Sequence, residues 1–273
     1  MSYAIGITGL GLQHFLYPGF RPVLILAWPT WMPDEQVLVY LSGLALIVCS
    51  ATIIFNKRPK QTMLILGGVL LLLLIFFHIP HQLTLNPGSL GSWTNTFKLL
   101  AFSGGAFVIA GSYPYYDINT EYQPSAAMKL LEKLIPLGSV FFSVMLIVFG
   151  IDHFLYAQFV VTLVPSWIPF DYFWTYFAAV ALIGGGATIL FRIQLKLVGI
   201  LTGTMIFLWF LILHIPRAIA TPDIDNGNEV TSVFQALAFS GVAFVLAFGY
   251  FKSADPVLDK IESPSSSKFA AKE

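Results

Sequence analysis

Long apolar runs alternate with short polar stretches along the whole chain. Eight of these runs read as helices that cross a bilayer, at about 2–17, 36–55, 61–80, 96–112, 134–156, 172–191, 197–215 and 233–251. A span needs roughly 20 apolar residues at 1.5 Å of rise per residue. The first and fourth runs are short, so a span made from either tilts little or thins the bilayer locally. Two further stretches, 18–33 and 157–169, are apolar but broken by Pro18, Pro22, Pro29 and Pro33 in one and by Pro165 and Pro169 in the other. Such lengths with such breaks do not span, and predict interfacial or re-entrant segments with Trp28, Trp31 and Trp167 at headgroup depth.

The pattern occurs twice. Gly11-Leu12-Gln13-His14-Phe15-Leu16-Tyr17 returns as Gly150-Ile151-Asp152-His153-Phe154-Leu155-Tyr156. Ala51-Thr52-Ile53-Ile54-Phe55 returns as Ala187-Thr188-Ile189-Leu190-Phe191, and His78-Ile79-Pro80 as His214-Ile215-Pro216. Leu100-Ala101-Phe102-Ser103-Gly104 returns as Leu237-Ala238-Phe239-Ser240-Gly241. The offset is 139 for the first element, 136 for the next two and 137 for the last, so small loop insertions separate two copies of one unit. The expected fold is therefore all-α, with eight transmembrane helices as two parallel four-helix repeats. Four helices return the chain to its starting side, so a pseudo-twofold axis along the membrane normal should relate the repeats. The organisation is a first repeat at 1–112, a cytoplasmic linker at 113–133, a second repeat at 134–251 and a disordered cytoplasmic tail at 252–273.

Composition supports the membrane assignment. The chain is 57% hydrophobic and 10% charged, against roughly 25% charged residues in a soluble domain. Net charge is zero, which leaves no basic surface for nucleic acid. Charge placement gives orientation. One side carries Lys57, Arg58, Lys60, Lys129, Lys133, Arg192, Lys196, Lys252, Lys260, Lys268 and Lys272, whereas the other has only Arg21, Lys98 and Arg217. By the positive-inside rule both termini are cytoplasmic, in a multi-pass protein of the cell membrane. The first residues lack a positive n-region, so the first run is expected to stay as a helix. Gly184-Gly185-Gly186, Gly199 with Gly203, Gly67-Gly68 and Gly104-Gly105 predict close helix packing. Ser103 and Ser240 are placed to hydrogen-bond across helices, while Tyr17 and Tyr156 fit an interfacial aromatic belt.

The polar residues kept in both copies are histidines. His14, His78, His153 and His214 all fall at helix ends on the extracytoplasmic side, and His81 follows His78 by three residues. A histidine near a helix end can donate to a carbonyl left free by the following Pro80 or Pro216, or hydrogen-bond a neighbouring helix, a purely structural role. Ionisable groups within spans otherwise mark function. Imidazoles at one depth suit axial ligation of haem b, with Arg21 or Arg217 near the propionates, or proton acceptance from a quinol. Zinc or copper lacks a completing shell: Cys49 is the single cysteine and carboxylates are few, so no metal site is expected. Asp152, where the first copy has Gln13, could orient a histidine of another helix. Lys98 and Gln235 take matching places near the same side. No dinucleotide, P-loop, HExxH or GxSxG motif is present.

On the Gly-x-x-His-Phe-Leu-Tyr element, the Val164-Pro165-Ser166-Trp167-Ile168-Pro169 stretch and the His-Ile-Pro helix end, the chain resembles DoxX-like membrane proteins. The resemblance covers both copies, about 2–112 and 134–251, and makes the chain a tandem fusion of two such units. The first copy departs by three extra residues before Trp31 and has no proline at the place of Pro165. The family implies a quinone-facing or redox-partner role, through association of some members with quinone-linked oxidation of sulfur compounds. The expected function is thus a redox-associated component that binds quinol or haem through His14, His78, His153 and His214, supported by His81, Asp152, Arg21 and Arg217. Its partners would be the lipid bilayer and a membrane or extracytoplasmic redox protein. Two alternatives remain: a small-solute transporter with a histidine proton relay, and a non-catalytic assembly subunit of a membrane complex.

Overall fold

The computed structural model describes residues 1–29, 32, 35–85, 87–113 and 124–249. The expected disordered tail at 252–273 and linker positions 114–123 lie outside the described residues, as do Trp31 and Pro33. Regular structure among the described residues is helical. The helices are α1 (Ser2–Leu16), α2 (Gln36–Ile54), α3 (Pro59–Leu73), α4 (Ile79–Leu85), α5 (Thr94–Gly111) and, in the linker, α6 (Ala126–Glu132). They continue with α7 (Leu137–Leu155), α8 (Ala157–Val161), α9 (Asp171–Leu190), α10 (Leu195–Trp209), α11 (Ile215–Ala220) and α12 (Asn228–Phe248).

Among the described residues, six stretches are long and apolar enough to cross a membrane: Gln36–Ile54, Pro59–Leu85, Leu137–Leu155, Asp171–Leu190, Leu195–Ala220 and Ile224–Phe248. The chain is an all-helical, multi-pass membrane protein. α1 and α5 fall outside that set for opposite reasons. α1 has 15 residues, about 22 Å at 1.5 Å each. α5 opens on Thr94-Asn95-Thr96 and carries Lys98.

α3 and α4 are joined by a π-helical turn, Leu74–His78, and α10 and α11 by another, Phe210–His214. The cause is the following Ile-Pro. Pro80 and Pro216 have no N–H to continue an α-helical ladder, and their rings clash with the carbonyl four residues back. Widening the turn relieves this, and the N–H groups of Ile79 and Ile215 bond Leu74 O and Phe210 O, five residues earlier. The α2–α3 and α9–α10 turns are also alike. Asn56 and Arg58 have φ of 52° and 49°, and Arg192 and Gln194 have 56° and 47°.

α1 packs on α2 and α12, α3 on α5, α5 on α7, α7 on α9 and α10 on α12, while α5 and α12 also touch. With the α2–α3 and α9–α10 contacts, the helices close two rings that share α5 and α12. One is α1–α2–α3–α5–α12 and the other is α7–α9–α10–α12–α5. The shared helices are the most enclosed: 67% of the α12 span is buried, against 22% of the α10–α11 span. Phe102 of α5 packs against Phe239 of α12 at this centre, ring centroids 4.8 Å apart and planes tilted by 46°.

Glycines set the spacing. A Cβ on Gly11 would stand 2.7 Å from Gly43 O, and one on Gly43 would stand 2.7 Å from Gly11 O. Gly104 and Gly138 oppose each other in the same way between α5 and α7, at 2.6 and 2.7 Å. Gly67 seats the Phe107 ring, and Gly203 seats Phe244. Gly184 meets nothing within 4 Å, so the expected packing role does not extend to it.

Candidate functional site at the histidine end

Contacts place the four repeated histidines at one end of the bundle. Tyr17, three residues after His14, lies on Gly227 and donates to Pro222 O at 3.0 Å. Tyr156, three after His153, lies against Gly91 and accepts from its N–H at 3.0 Å. Each tyrosine thus docks on the other half of the chain, a packing role beyond the expected aromatic belt.

His14 and His153 are held identically. Nδ1 of each donates to the carbonyl four residues back, Leu10 O and Phe149 O, at 2.7 Å. A carbonyl only accepts, so the proton sits on Nδ1 and Nε2 keeps its lone pair. The surroundings differ. His14 is 1% exposed, its Nε2 has no partner, and Phe20 meets the ring edge-on at 6.2 Å. Phe20 stacks on Trp28, and Trp28 on Phe77. His153 is half-buried and stacks on Trp209, with centroids 6.3 Å apart and planes 20° from parallel.

His78 and His214, which end the two π turns, also differ. His78 is wholly buried, with Nε2 bonded to Leu24 O at 3.1 Å and Nδ1 facing Thr96 Oγ1 at 3.4 Å. In the second half, the residue aligned with Thr96 is Val233. His214 Nδ1 is buried without a partner. Lys98, Glu229 and Arg217 lie within its electrostatic reach.

The cause is the segment after each first helix. In the first half it folds inward. Val23, Leu24 and Ile25 are buried, and Arg21 is 0% exposed. Arg21 donates to Asn226 O and Pro18 O and lies over the Tyr17 ring, 5.2 Å from its centroid. Burial pulls its pKa below the ordinary guanidinium value, and Tyr17 opposes that shift. In the second half, the corresponding segment forms short α8 and stays outside. Phe159, Trp167 and Phe170 are 65%, 69% and 78% exposed.

The expected supporting residues separate accordingly. Arg21 is bound to backbone carbonyls. Arg217 is bound to Glu229 through Nε–Oε2 at 3.0 Å and Nη2–Oε1 at 2.6 Å. Asp152 Oδ1 is buried and unpartnered. His81 is half-buried, and its carbonyl accepts from Thr84. No two of the four repeated histidines bond or stack on each other among the described residues. No group of three or more His, Cys, Asp or Glu gathers there as a metal shell. Haem ligation by a histidine pair does not fit the first half: both His78 nitrogens are engaged, and His14 is enclosed.

Trp209 is the residue that sequence reasoning missed. It immediately precedes the π turn that ends at His214 and stacks across helices on His153. Ser103 donates to Gly67 O across helices at 2.8 Å, as expected, but Ser240 bonds its own helix at Leu237 O. No protein-family model matches this chain, no curated protein matches it, and no solved structure matches it.

Proposed function

We propose that this is a tandem DoxX-like protein of the cell membrane, with eight spans in two parallel four-helix repeats, both termini cytoplasmic, and a quinol-type head group bound in the second repeat. The matched π turns, the matched left-handed turns and the reciprocal tyrosine–glycine contacts support the repeat. α1 and α5, sheltered by their neighbours, would complete the count of spans. The excess of Lys and Arg at the opposite end supports the orientation.

One observation carries the binding reading. His153 has its Nδ1 proton committed to Phe149 O and its ring beside Trp209, in a half-buried position. A quinol hydroxyl is a donor that the free Nε2 lone pair accepts, and the quinol ring is a flat partner for indole. A quinol arriving from lipid needs such an amphipathic site at the membrane edge. His14, with the same ring orientation, is sealed beneath Phe20.

The test is quenching of tryptophan fluorescence by a soluble benzoquinone analogue, on detergent-purified full-length protein. Saturable quenching is expected, lost in His153→Ala and kept in His14→Ala. Equal binding by His153→Ala and the parent protein would refute the assignment.

A further inference from the structure

The linker helix α6 has two unlike faces. Met128 and Leu131 pack on the core. Leu131 lies against Gly68 of α3, where an added Cβ would stand 2.7 Å from Leu131 Cδ2. Glu132 reaches Lys60 of α3, with Oε1 3.5 Å from Nζ and each side chain 10% exposed. These three positions have the i, i+3, i+4 spacing of one helical face. Lys60 is the second residue of the span Pro59–Leu85, so its pairing with Glu132 fixes this end of α6 at the edge of the apolar layer. The other face is open. Lys129 and Lys133 are exposed, and Leu130 is 62% exposed. The two lysines stand four positions apart, on one side of the helix, and Leu130 flanks them. Neither forms an ion pair among the described residues. The acidic residue of α6, Glu132, is already engaged by Lys60, so the open face carries two uncompensated positive charges beside an apolar side chain.

We propose that the open face of α6 is a docking surface for an anionic membrane lipid, with Lys129 and Lys133 on its phosphate and Leu130 against its acyl chains. The surface goes beyond the quinol reading, uses different residues and lies at the opposite end of the bundle. Charge complementarity selects the occupant. A zwitterionic headgroup brings a cation with its phosphate and offers two lysines no net charge to meet. An anionic headgroup brings an uncompensated negative charge, which lysines at a membrane surface favour. Lysine and leucine side by side on one helix face is also the pattern of segments that lie in a membrane interface. The core-facing side holds this face in place, because the Lys60–Glu132 pair and the seat of Leu131 on Gly68 tie α6 to α3. The second half supplies a contrast. Lys196, aligned with Lys60, is exposed, so it adds a cation at the same end of the bundle outside the α6 face.

The experiment uses the full chain, delipidated in neutral detergent. It is titrated with phosphatidylglycerol or with phosphatidylcholine of the same acyl chains, and bound lipid is counted by native mass spectrometry. A lysine near an anionic surface is worth about fivefold in affinity. Two of them set the expected preference for the first phosphatidylglycerol at roughly twentyfold. Lys129→Gln combined with Lys133→Gln should bring phosphatidylglycerol down to the level of phosphatidylcholine. Lys129→Arg combined with Lys133→Arg should keep the preference, and Lys196→Gln should leave it unchanged. Equal binding of the two lipids by the parent protein overturns the proposal, as does a preference that survives the double glutamine substitution. A preference lost as fully in Lys196→Gln also overturns it, since overall charge and not the α6 face would then select the lipid. Benzoquinone quenching, followed in parallel, should survive the double glutamine substitution, so the two readings fail separately.

Discussion

Gly104→Ala tests the packing of the two halves most directly. Gly104 of α5 faces Gly138 of α7, and an added Cβ would stand 2.6 Å from Gly138 O and 2.7 Å from Phe141 Cβ. The first obstacle is backbone, which cannot swing aside as a side chain can. Bringing the contact from 2.6 Å to an ordinary 3.4 Å parts α5 and α7 by most of an ångström. A gap of that size forfeits roughly a quarter to a half of each dispersion contact beside it. Overpacking of this kind costs about 1–3 kcal/mol. Gly184→Ala is the opposing control. Nothing lies within 4 Å of its Cβ, and exchanging a mid-helix glycine for alanine favours the helix by up to about 1 kcal/mol. The two substitutions, chemically identical, should therefore differ in sign. The assay is reversible unfolding in mixed micelles, followed by circular dichroism as the SDS fraction rises. Gly104→Ala should unfold earlier than the parent protein and Gly184→Ala no earlier. A Gly104→Ala protein as stable as the parent would refute the backbone contact between α5 and α7.

The same assay separates the two serines. Ser103→Ala loses a buried bond to Gly67 O that ties α5 to α3 and should cost about 0.6 kcal/mol, the usual worth of a polar contact between membrane helices. Ser240→Ala loses only a bond within its own helix and should move the midpoint by less. Thr96→Val gives the first half the valine that the second half has at position 233, and removes the hydroxyl facing His78 Nδ1 at 3.4 Å. It should destabilise by about 0.5–1.5 kcal/mol, and an unchanged midpoint would show that this contact contributes nothing.

The helices and their six long apolar spans were legible because bilayer-length apolar runs are a one-dimensional signal. The six long spans follow from length and hydropathy. α1 and α5 announced themselves as short, and the reason became visible only in packing, where both are covered by neighbours. Of the nine glycines read as packing positions, all but Gly184 meet a close neighbour. Three consecutive helical residues point about 100° apart, so Gly184, Gly185 and Gly186 cannot all face one neighbour. Gly185 meets Thr202 and Gly186 meets Ser143 O, leaving Gly184 outside. The histidines were legible as positions and not as environments. Nothing local to Pro18–Pro29 or to Ala157–Pro169 tells which segment folds inward. That depends on Arg21 finding Asn226 O and Pro18 O, the former about two hundred residues away. Trp209 was hidden because its partner, His153, lies on another helix far back in the sequence, and only packing brings the two rings together.

The asymmetry between the halves bears on where chemistry can occur. A buried polar atom without a partner costs about 1–3 kcal/mol, and both halves carry some. Gln13 Nε2, Arg21 Nε and His14 Nε2 are unpartnered in the first half, and Asp152 Oδ1, Thr175 Oγ1 and His214 Nδ1 in the second. The number of such atoms therefore does not distinguish the halves, but access to the histidines does, although Thr175 in the second half is also buried. The three residues of the first half are all within 1% of full burial, closed in by the segment that His78 fastens through Leu24 O. Asp152, His153 and His214 are half-buried, and the segment that would cover them lies outside, with Trp167 69% exposed. The recurring sequence elements carry two sets of histidines. The inward segment and Thr96 engage or enclose one set as structural bonds. Val233 and the displaced α8 leave the other with nitrogen atoms that can still meet a donor. The second half is therefore where substitutions should change binding, and the first is where the same substitutions should change stability.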